Sequence, residues 1–297
     1  MTGGSPVQRV TVWMAAVAAA AVAACVAARA QQPPQGGDNL GLELVDPKVL
    51  RVCADPANLP FSNDKGEGFE NKIAELLADK LGKKLAYTWY PGSTGFVRMT
   101  LGSFRCDVIL GFPQGGDLAQ STNPYYRSVY TLVTKPGTEL DGVDSLGDER
   151  LKGKHLGIVA GTPPSNYLVE RGLMATAKPY ALVVDTRYDS SGRAITKDIA
   201  SGDVDAGILW GPIAGWYARK TDPSLHVVPL LKESGRPALA YRITMGVRPT
   251  DQNWRRELNE VIKANQPAIT KILQDYGVPL LDDGGKIIPG EPAAAKP

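Results

Sequence analysis

The chain has 297 residues, 43% of them apolar and 22% charged, with a formal net charge of +2. That length supports two modest domains or one large one, each with a real core. The near-neutral balance excludes the electrostatic footprint expected of a nucleic-acid or anionic-membrane binder.

Arg9 precedes an apolar stretch from Val10 to Ala24, and Ala28-Arg29-Ala30 offers a small-x-small cleavage site. The stretch is too short and Ala-rich for a membrane span. It predicts an export signal over residues 1–30, cut after Ala30, and a soluble exported product. Val22-Ala23-Ala24-Cys25 also resembles a lipobox, which would instead leave Cys25 lipidated. Cleavage after Ala30 removes two of the 33 basic residues and none of the 31 acidic ones, so the remainder is formally neutral. It also leaves two of the 3 cysteines, Cys53 and Cys106. An even number in an oxidising compartment predicts a disulfide, the other reading being two buried thiols.

Residues 31–47 read as a flexible leader. Leu50, Val52 and Ala54 then mark a buried strand that ends at Asp55-Pro56. Phe69, Ile73, Leu76, Leu77 and Leu81 follow helical spacing, with Gly82 placed as a C-terminal cap. The intervening loop, Asn58-Leu59-Pro60-Phe61, lies where open α/β sheets bind ligands, and its rigid, semi-apolar character suits recognition rather than phosphate binding.

A strand over 85–90, a helix over 95–103 and a strand over 106–111 follow, then Thr131-Leu132-Val133-Thr134 before the turn at Pro136-Gly137. If the strands holding Cys53 and Cys106 are neighbours, a bridge between them is geometrically reasonable. A second α/β set has a strand stopping at Gly161, a helix from Pro164 or Ser165, a helix over 195–201 and a strand over 205–210. A strand over 239–247 returns. Trp254, Leu258, Val261, Ile262, Ile269, Ile272 and Leu273 then give helical spacing interrupted at Pro267, before a disordered tail over 282–297.

The expected architecture is therefore α/β, with parallel sheets flanked by helices and the second lobe inserted into the first. Its boundaries fall at 48–134 and 240–281 for lobe 1 and 135–239 for lobe 2. The hinge is expected near Thr131–Thr134 and Leu239–Ile243.

Catalytic and metal signatures are weak. His155 and His226 lack His, Cys or carboxylate partners at ligand spacing, and Asp282-Asp283 lacks the alternating acids of a calcium loop. No Gly-x-Ser-x-Gly elbow, Cys–His pair or glycine-rich nucleotide fingerprint occurs. Glu70 is the one acid to nominate for acid–base work, and stabilising the first turn of its helix is the simpler role. No enzymatic activity, metal or bound cofactor is expected.

Leu50-Arg51-Val52, Gly68-Phe69-Glu70, Asn123-Pro124-Tyr125-Tyr126, Gly161-Thr162 and Gly202-Asp203-Val204-Asp205-Ala206 occur in an order that resembles the bilobal, type 2 extracytoplasmic solute-binding proteins of family 3. In amino-acid-binding members an Arg after the Cys106-equivalent strand clamps the ligand carboxylate, and an acid after the Asp205-equivalent strand holds the ammonium. Burying a zwitterion without such partners costs several kcal/mol. Here residues 111–122 contain no basic residue, and Trp210 stands in the acid's column. An amino acid is therefore not the expected ligand.

Ala54-Asp55-Pro56-Ala57-Asn58-Leu59-Pro60-Phe61-Ser62-Asn63, Gly95-Phe96-Val97-Arg98, Cys106-Asp107-Val108, Thr122-Asn123-Pro124-Tyr125-Tyr126-Arg127-Ser128 and Trp210-Gly211-Pro212 resemble more closely the MxaJ/XoxJ-type periplasmic proteins. These are associated with quinoprotein methanol dehydrogenases in methanol oxidation. The resemblance implies a monomeric accessory protein whose partner is the dehydrogenase large subunit. The partner, not this chain, would carry PQQ and a calcium or lanthanide ion. Asn58, Pro60, Phe61, Phe112, Pro113, Tyr125, Tyr126, Arg127, Gly161, Thr162, Pro163, Trp210, Gly211 and Pro212 are the expected cleft residues. A solute-binding component of a transporter for an apolar or weakly polar molecule is the alternative.

Overall fold

The computed structural model describes residues 43–221 and 225–290. The expected export signal, Cys25 and residues 291–297 lie outside the described residues.

The first half comprises β1 (Val49–Ala54), a hairpin of β2 (Ala57–Asn58) and β3 (Ser62–Asn63), α1 (Phe69–Leu81), β4 (Lys84–Trp89), the one-turn α2 (Phe96–Met99), β5 (Val108–Pro113) and β6 (Gln120–Ser121). β7 (Tyr126–Thr134) leads to β8 (Leu156–Val159), α3 (Pro164–Glu170), β9 (Lys178–Tyr180), α4 (Ser191–Ser201), β10 (Ala206–Trp210), α5 (Gly211–Thr221) and β11 (His226–Pro229). β12 (Ala240–Val247) pairs back onto β5, and α6 (Gln252–Ala264) and α7 (Gln266–Asp275) follow.

These strands form a sheet in the order β4-β1-β5-β12-β7-β10-β8-β9, with β6 on β12 and β11 on β7. β1 is parallel to β4 and β5, and β8 is parallel to β9 and β10. β7 and β12 carry the chain between the halves, paired from Ala240↔Val129 to Ile243↔Tyr126. The crossing therefore lies at Tyr126–Val129. Thr131–Thr134, expected at the hinge, belong to the second half, held by β10 on one side and β11 on the other.

Each half has its own apolar core. In the first, Leu50, Phe69, Ile73, Leu77, Val108, Met245, Trp254, Leu258 and Leu273 are buried together. Fully burying one such side chain contributes about 1.5–3 kcal/mol. In the second, Leu132, Leu156, Ile158, Leu168 and Ile208 pack on one face of the sheet, and Val133, Ile195, Ile199 and Leu209 on the other. α1 has the predicted bounds, because its apolar stripe faces the core and Gly82 caps it in the left-handed region at φ 64°.

Several segments depart from the sequence reading. The helix expected over 95–103 is a single turn, because the Thr100 backbone bends (φ −118°, ψ −82°) and its hydroxyl bonds back to Phe96 O at 2.6 Å. The strand expected from Cys106 begins at Val108, because buried Asp107 receives the Arg51 and Arg248 guanidinium groups at 2.6 and 2.7 Å. α4 starts at Ser191, capped by the Ser190 hydroxyl.

The end of the leader is also engaged: Glu43 accepts from the Asn253 and Trp254 amides at the start of α6. Residues 282–290, expected as a disordered tail, instead turn back on the body. Leu281 pairs with Ile287, the Ile288 amide donates to Leu280 O, and Ile288 packs on the first core. Cys53 and Cys106 form a disulfide, their Cα atoms 5.5 Å apart.

Candidate functional site

A cavity of about 880 Å³ lies between the halves. On the first half it is lined by the β2–β3 loop (Asn58, Leu59, Phe61) and by Gly111 and Pro113 of β5; on the second, by Val159, Thr162, Trp210, Ile213 and Tyr217. Tyr126, Tyr130, Tyr241 and Ile243 of the crossing strands complete the wall. Trp210 packs against Tyr130 (ring centroids 5.3 Å) and edge-on to Tyr241 (5.9 Å). Such pairs contribute about 0.5–1.5 kcal/mol beyond area burial. Burial raises the Tyr130 and Tyr241 hydroxyl pKa values, so both stay neutral in the physiological range.

Two hydrogen bonds span the cavity. The Tyr217 hydroxyl donates to Leu59 O at 3.2 Å, and the Thr186 hydroxyl donates to Asp55 Oδ1 at 3.4 Å. Asp55 is held by the Ala57 amide (2.8 Å) and the Gly92 amide (2.6 Å). Arg187, on the second wall, is paired with Asp185 at 2.6 Å, and this pair holds the Asp185 carboxyl below the usual range.

The expected cleft residues separate into distinct groups. Asn58, Phe61, Pro113, Tyr126, Thr162 and Trp210 line the cavity, with Gly161 and Pro163 flanking Thr162. Pro60 is buried beneath the hairpin. Phe112 points the other way, into the small core around the Cys53–Cys106 bridge with Leu101 and Ala119. Tyr125 is 1% exposed, its hydroxyl accepting from the Gly111 amide at 2.9 Å.

Arg127 cannot share a face with Tyr126, because successive strand residues alternate sides, and it borders a separate pocket. Gly211 and Pro212 are buried at the start of α5; a Cβ at Gly211 would sit 2.6 Å from Val129 O.

Sequence reasoning missed Tyr130, Tyr217, Tyr241 and the segment 182–193. The segment carried a signal, the run Leu182-Val183-Val184 outside any predicted element, and Leu182 and Val183 are 59% and 67% exposed. Ile213 and Tyr217 are spaced by one helical turn on α5, which puts both on its cavity face.

Glu70, on the first turn of α1, has no side-chain hydrogen bond among the described residues, and burial pushes its carboxyl up to about 8. It lies against the Gly111 backbone, leaving no room for a Cβ there. It does not line the cavity. The His226 ring has a structural partner, its Nδ1 lying 2.8 Å from Asp141 Oδ1, while His155 is tied through its backbone amide, which donates to Asp205 Oδ2 (2.7 Å). Among the described residues no group of three or more His, Cys, Asp or Glu could hold a metal, and no helix is long and apolar enough to cross a membrane.

No protein-family model matches the chain. Protein MoxJ of Methylorubrum extorquens AM1 is 30% identical over 250 residues, spanning 80% of this chain and 83% of that protein. The chain belongs to the MoxJ family. Two crystal structures of similar proteins extend the comparison. The periplasmic binding protein XoxJ from Methylobacterium extorquens AM1 is 43% identical with a TM-score of 0.68, covering 79% of this chain and 100% of that one. MxaJ from Methlophaga aminisulfidivorans MPT is 26% identical with a TM-score of 0.68, covering 78% and 100%. The MoxJ family chain thus has the α/β fold of the type 2 periplasmic binding proteins.

Proposed function

We propose that this chain is an exported, monomeric periplasmic accessory protein that supports a PQQ-dependent methanol dehydrogenase by contact through its inter-half cavity. The observation that carries this reading is the aromatic wall of Trp210, Tyr130, Tyr241, Tyr126 and Phe61 along the inter-half cavity. Aromatic side chains concentrate binding energy at protein interfaces, and an apolar wall accepts a protruding apolar loop. In this reading the partner's large subunit carries PQQ and its calcium or lanthanide ion, this chain holds neither, and it performs no catalysis itself. The family membership supports it.

The test is co-elution of the mature chain with the apo and holo forms of the dehydrogenase large subunit. A complex with apo enzyme alone assigns a role in maturation; a complex with both forms assigns a standing partner role. No complex with either form at about 10 μM would overturn the reading.

A cavity of about 880 Å³ also falls in the size range of small-molecule sites. That favours, as the second reading, a solute-binding component for an apolar or weakly polar molecule. Permease genes beside the coding gene, and thermal stabilisation by such a solute, would support it.

A further inference from the structure

Arg127 and Arg242 lie directly opposite each other in the β7–β12 pair. Their neighbours Tyr126 and Tyr241 face the cavity, so strand alternation turns both arginines to the other side of the crossing. Like charges directly opposite on a ladder are unfavourable unless something stands between them. Among the described residues neither guanidinium forms an ion pair; Arg127 donates from Nη1 to the Asp283 carbonyl oxygen at 3.4 Å.

The two arginines border a second pocket, of about 370 Å³. Pro124, Leu280 and Ile288 make its apolar walls, and Gln266 and Thr270 of α7 close one side. Gln266 Nε2 donates to Tyr125 O (2.9 Å) and to the Thr270 hydroxyl (3.3 Å), which leaves the Thr270 proton free to donate into the pocket. Asp282 and Asp283 also border it, Asp282 Oδ1 accepting from the Lys286 amide at 2.8 Å. The Arg127 guanidinium is laid over Gly285 of that turn, which limits where it can swing.

Two planar guanidinium forks and a hydroxyl donor bordering one pocket beside apolar walls match the oxygens of a compact dianion. We propose that Arg127, Arg242 and Thr270 form a binding site for a free, doubly charged oxyanion of the phosphate or sulfate class. The site lies across the crossing from the inter-half cavity, with Tyr126 bordering both, and is held by both strands that cross between the halves. An oxyanion there relieves the repulsion between the two guanidinium groups.

Isothermal titration of the full mature chain with inorganic phosphate, and separately with sulfate, tests this. Sodium chloride at matched ionic strength serves as the control. Saturable binding of either oxyanion is expected, with an affinity at least about tenfold lower in R127Q or R242Q and no detectable binding in the double variant. Phosphate should raise the melting temperature of the wild type and leave that of the double variant unmoved.

Because the substitutions remove a like-charge pair, the variants should melt no lower than the wild type without anion. R242Q, at an exposed side chain with no hydrogen bond among the described residues, keeps the test valid if R127Q fails to fold. Three results would each overturn the proposal: no saturable heat at concentrations up to about 10 mM, equal binding by wild type and double variant, or the same stabilisation from chloride.

Discussion

The Tyr217 hydroxyl donates to the Leu59 carbonyl oxygen at 3.2 Å, joining α5 of the second half to the β2–β3 loop of the first across the cavity. With the Thr186–Asp55 bond it holds the two walls together. A net hydrogen bond of this kind is worth about 0.5–1.5 kcal/mol. Tyr217→Phe should therefore shift the chain about two- to tenfold toward a more open arrangement. Distances between spin labels at exposed Met99 and Lys197, measured by pulsed electron resonance, would lengthen in the variant; an unchanged distribution would show that this bond does not govern closure.

Trp210 stands between Tyr130 and Tyr241 on the cavity wall. Trp210→Asp places a carboxylate in that apolar setting and should weaken binding of the dehydrogenase large subunit by at least about tenfold, whereas Trp210→Phe should lose less. Biolayer interferometry with immobilised large subunit reads both. Equal affinity for wild type and Trp210→Asp would remove Trp210 from the contact.

Burial raises Glu70 from 4.5 to about 8. The folded chain therefore holds a proton between those values that the unfolded chain has released, so stability falls as pH rises through this window and levels off above it. Glu70→Gln has no such titration. It should leave stability near pH 4.5 little changed and raise it at pH 8.5 by about 1–3 kcal/mol. Urea melts at the two pH values give the difference, and parallel pH profiles for both proteins would refute it.

Asp107 is fully buried, receives two guanidinium groups and lies beside Cys106, whose carbonyl oxygen accepts from Arg248. Removing its charge strips the carboxylate from Arg51 and leaves buried Arg248 with Asp251 as its remaining carboxylate among the described residues. Asp107→Asn should cost about 2–3 kcal/mol in urea denaturation. A loss under 1 kcal/mol would mean that the network relaxes or admits water.

The Cys53–Cys106 bridge closes a long loop, and the chain-entropy model credits such a loop with about 4 kcal/mol as an upper figure. The double variant Cys53→Ala/Cys106→Ala should unfold at correspondingly lower urea concentration, with wild type in reductant moving the same way. Coincident curves for oxidised and reduced wild type would show the bridge to be energetically idle.

The elements that sequence alone located are those whose cause is local. α1 needs its apolar stripe at 69, 73 and 77 and a left-handed glycine at 82, and both are written in thirteen consecutive residues and their cap. The orientation of single side chains at the site has a non-local cause. Strand alternation alone forbids Tyr126 and Arg127, both expected in the cleft, from sharing a face, and the pairing of β7 with β12 decides that Tyr126 takes the cavity side. Phe112 turns to the disulfide core for the same reason, as β5 is placed by β12 and β1 together.

Composition, the strand–helix rhythm and the motifs around Asn58, Tyr125 and Trp210 thus determined the α/β class and the family resemblance, since each depends on residue identity and short-range spacing; the Cys53–Cys106 bridge needed β1 and the chain before β5 to lie side by side, which tertiary structure supplied. Which aromatics meet in one cavity, where the halves cross, that residues 282–290 return to the body, and that two arginines face each other behind the crossing were decided only by tertiary structure. Those relationships are set by strand register and by contacts between residues far apart in the chain, and a period-2 strand can present either face until its partner is in place.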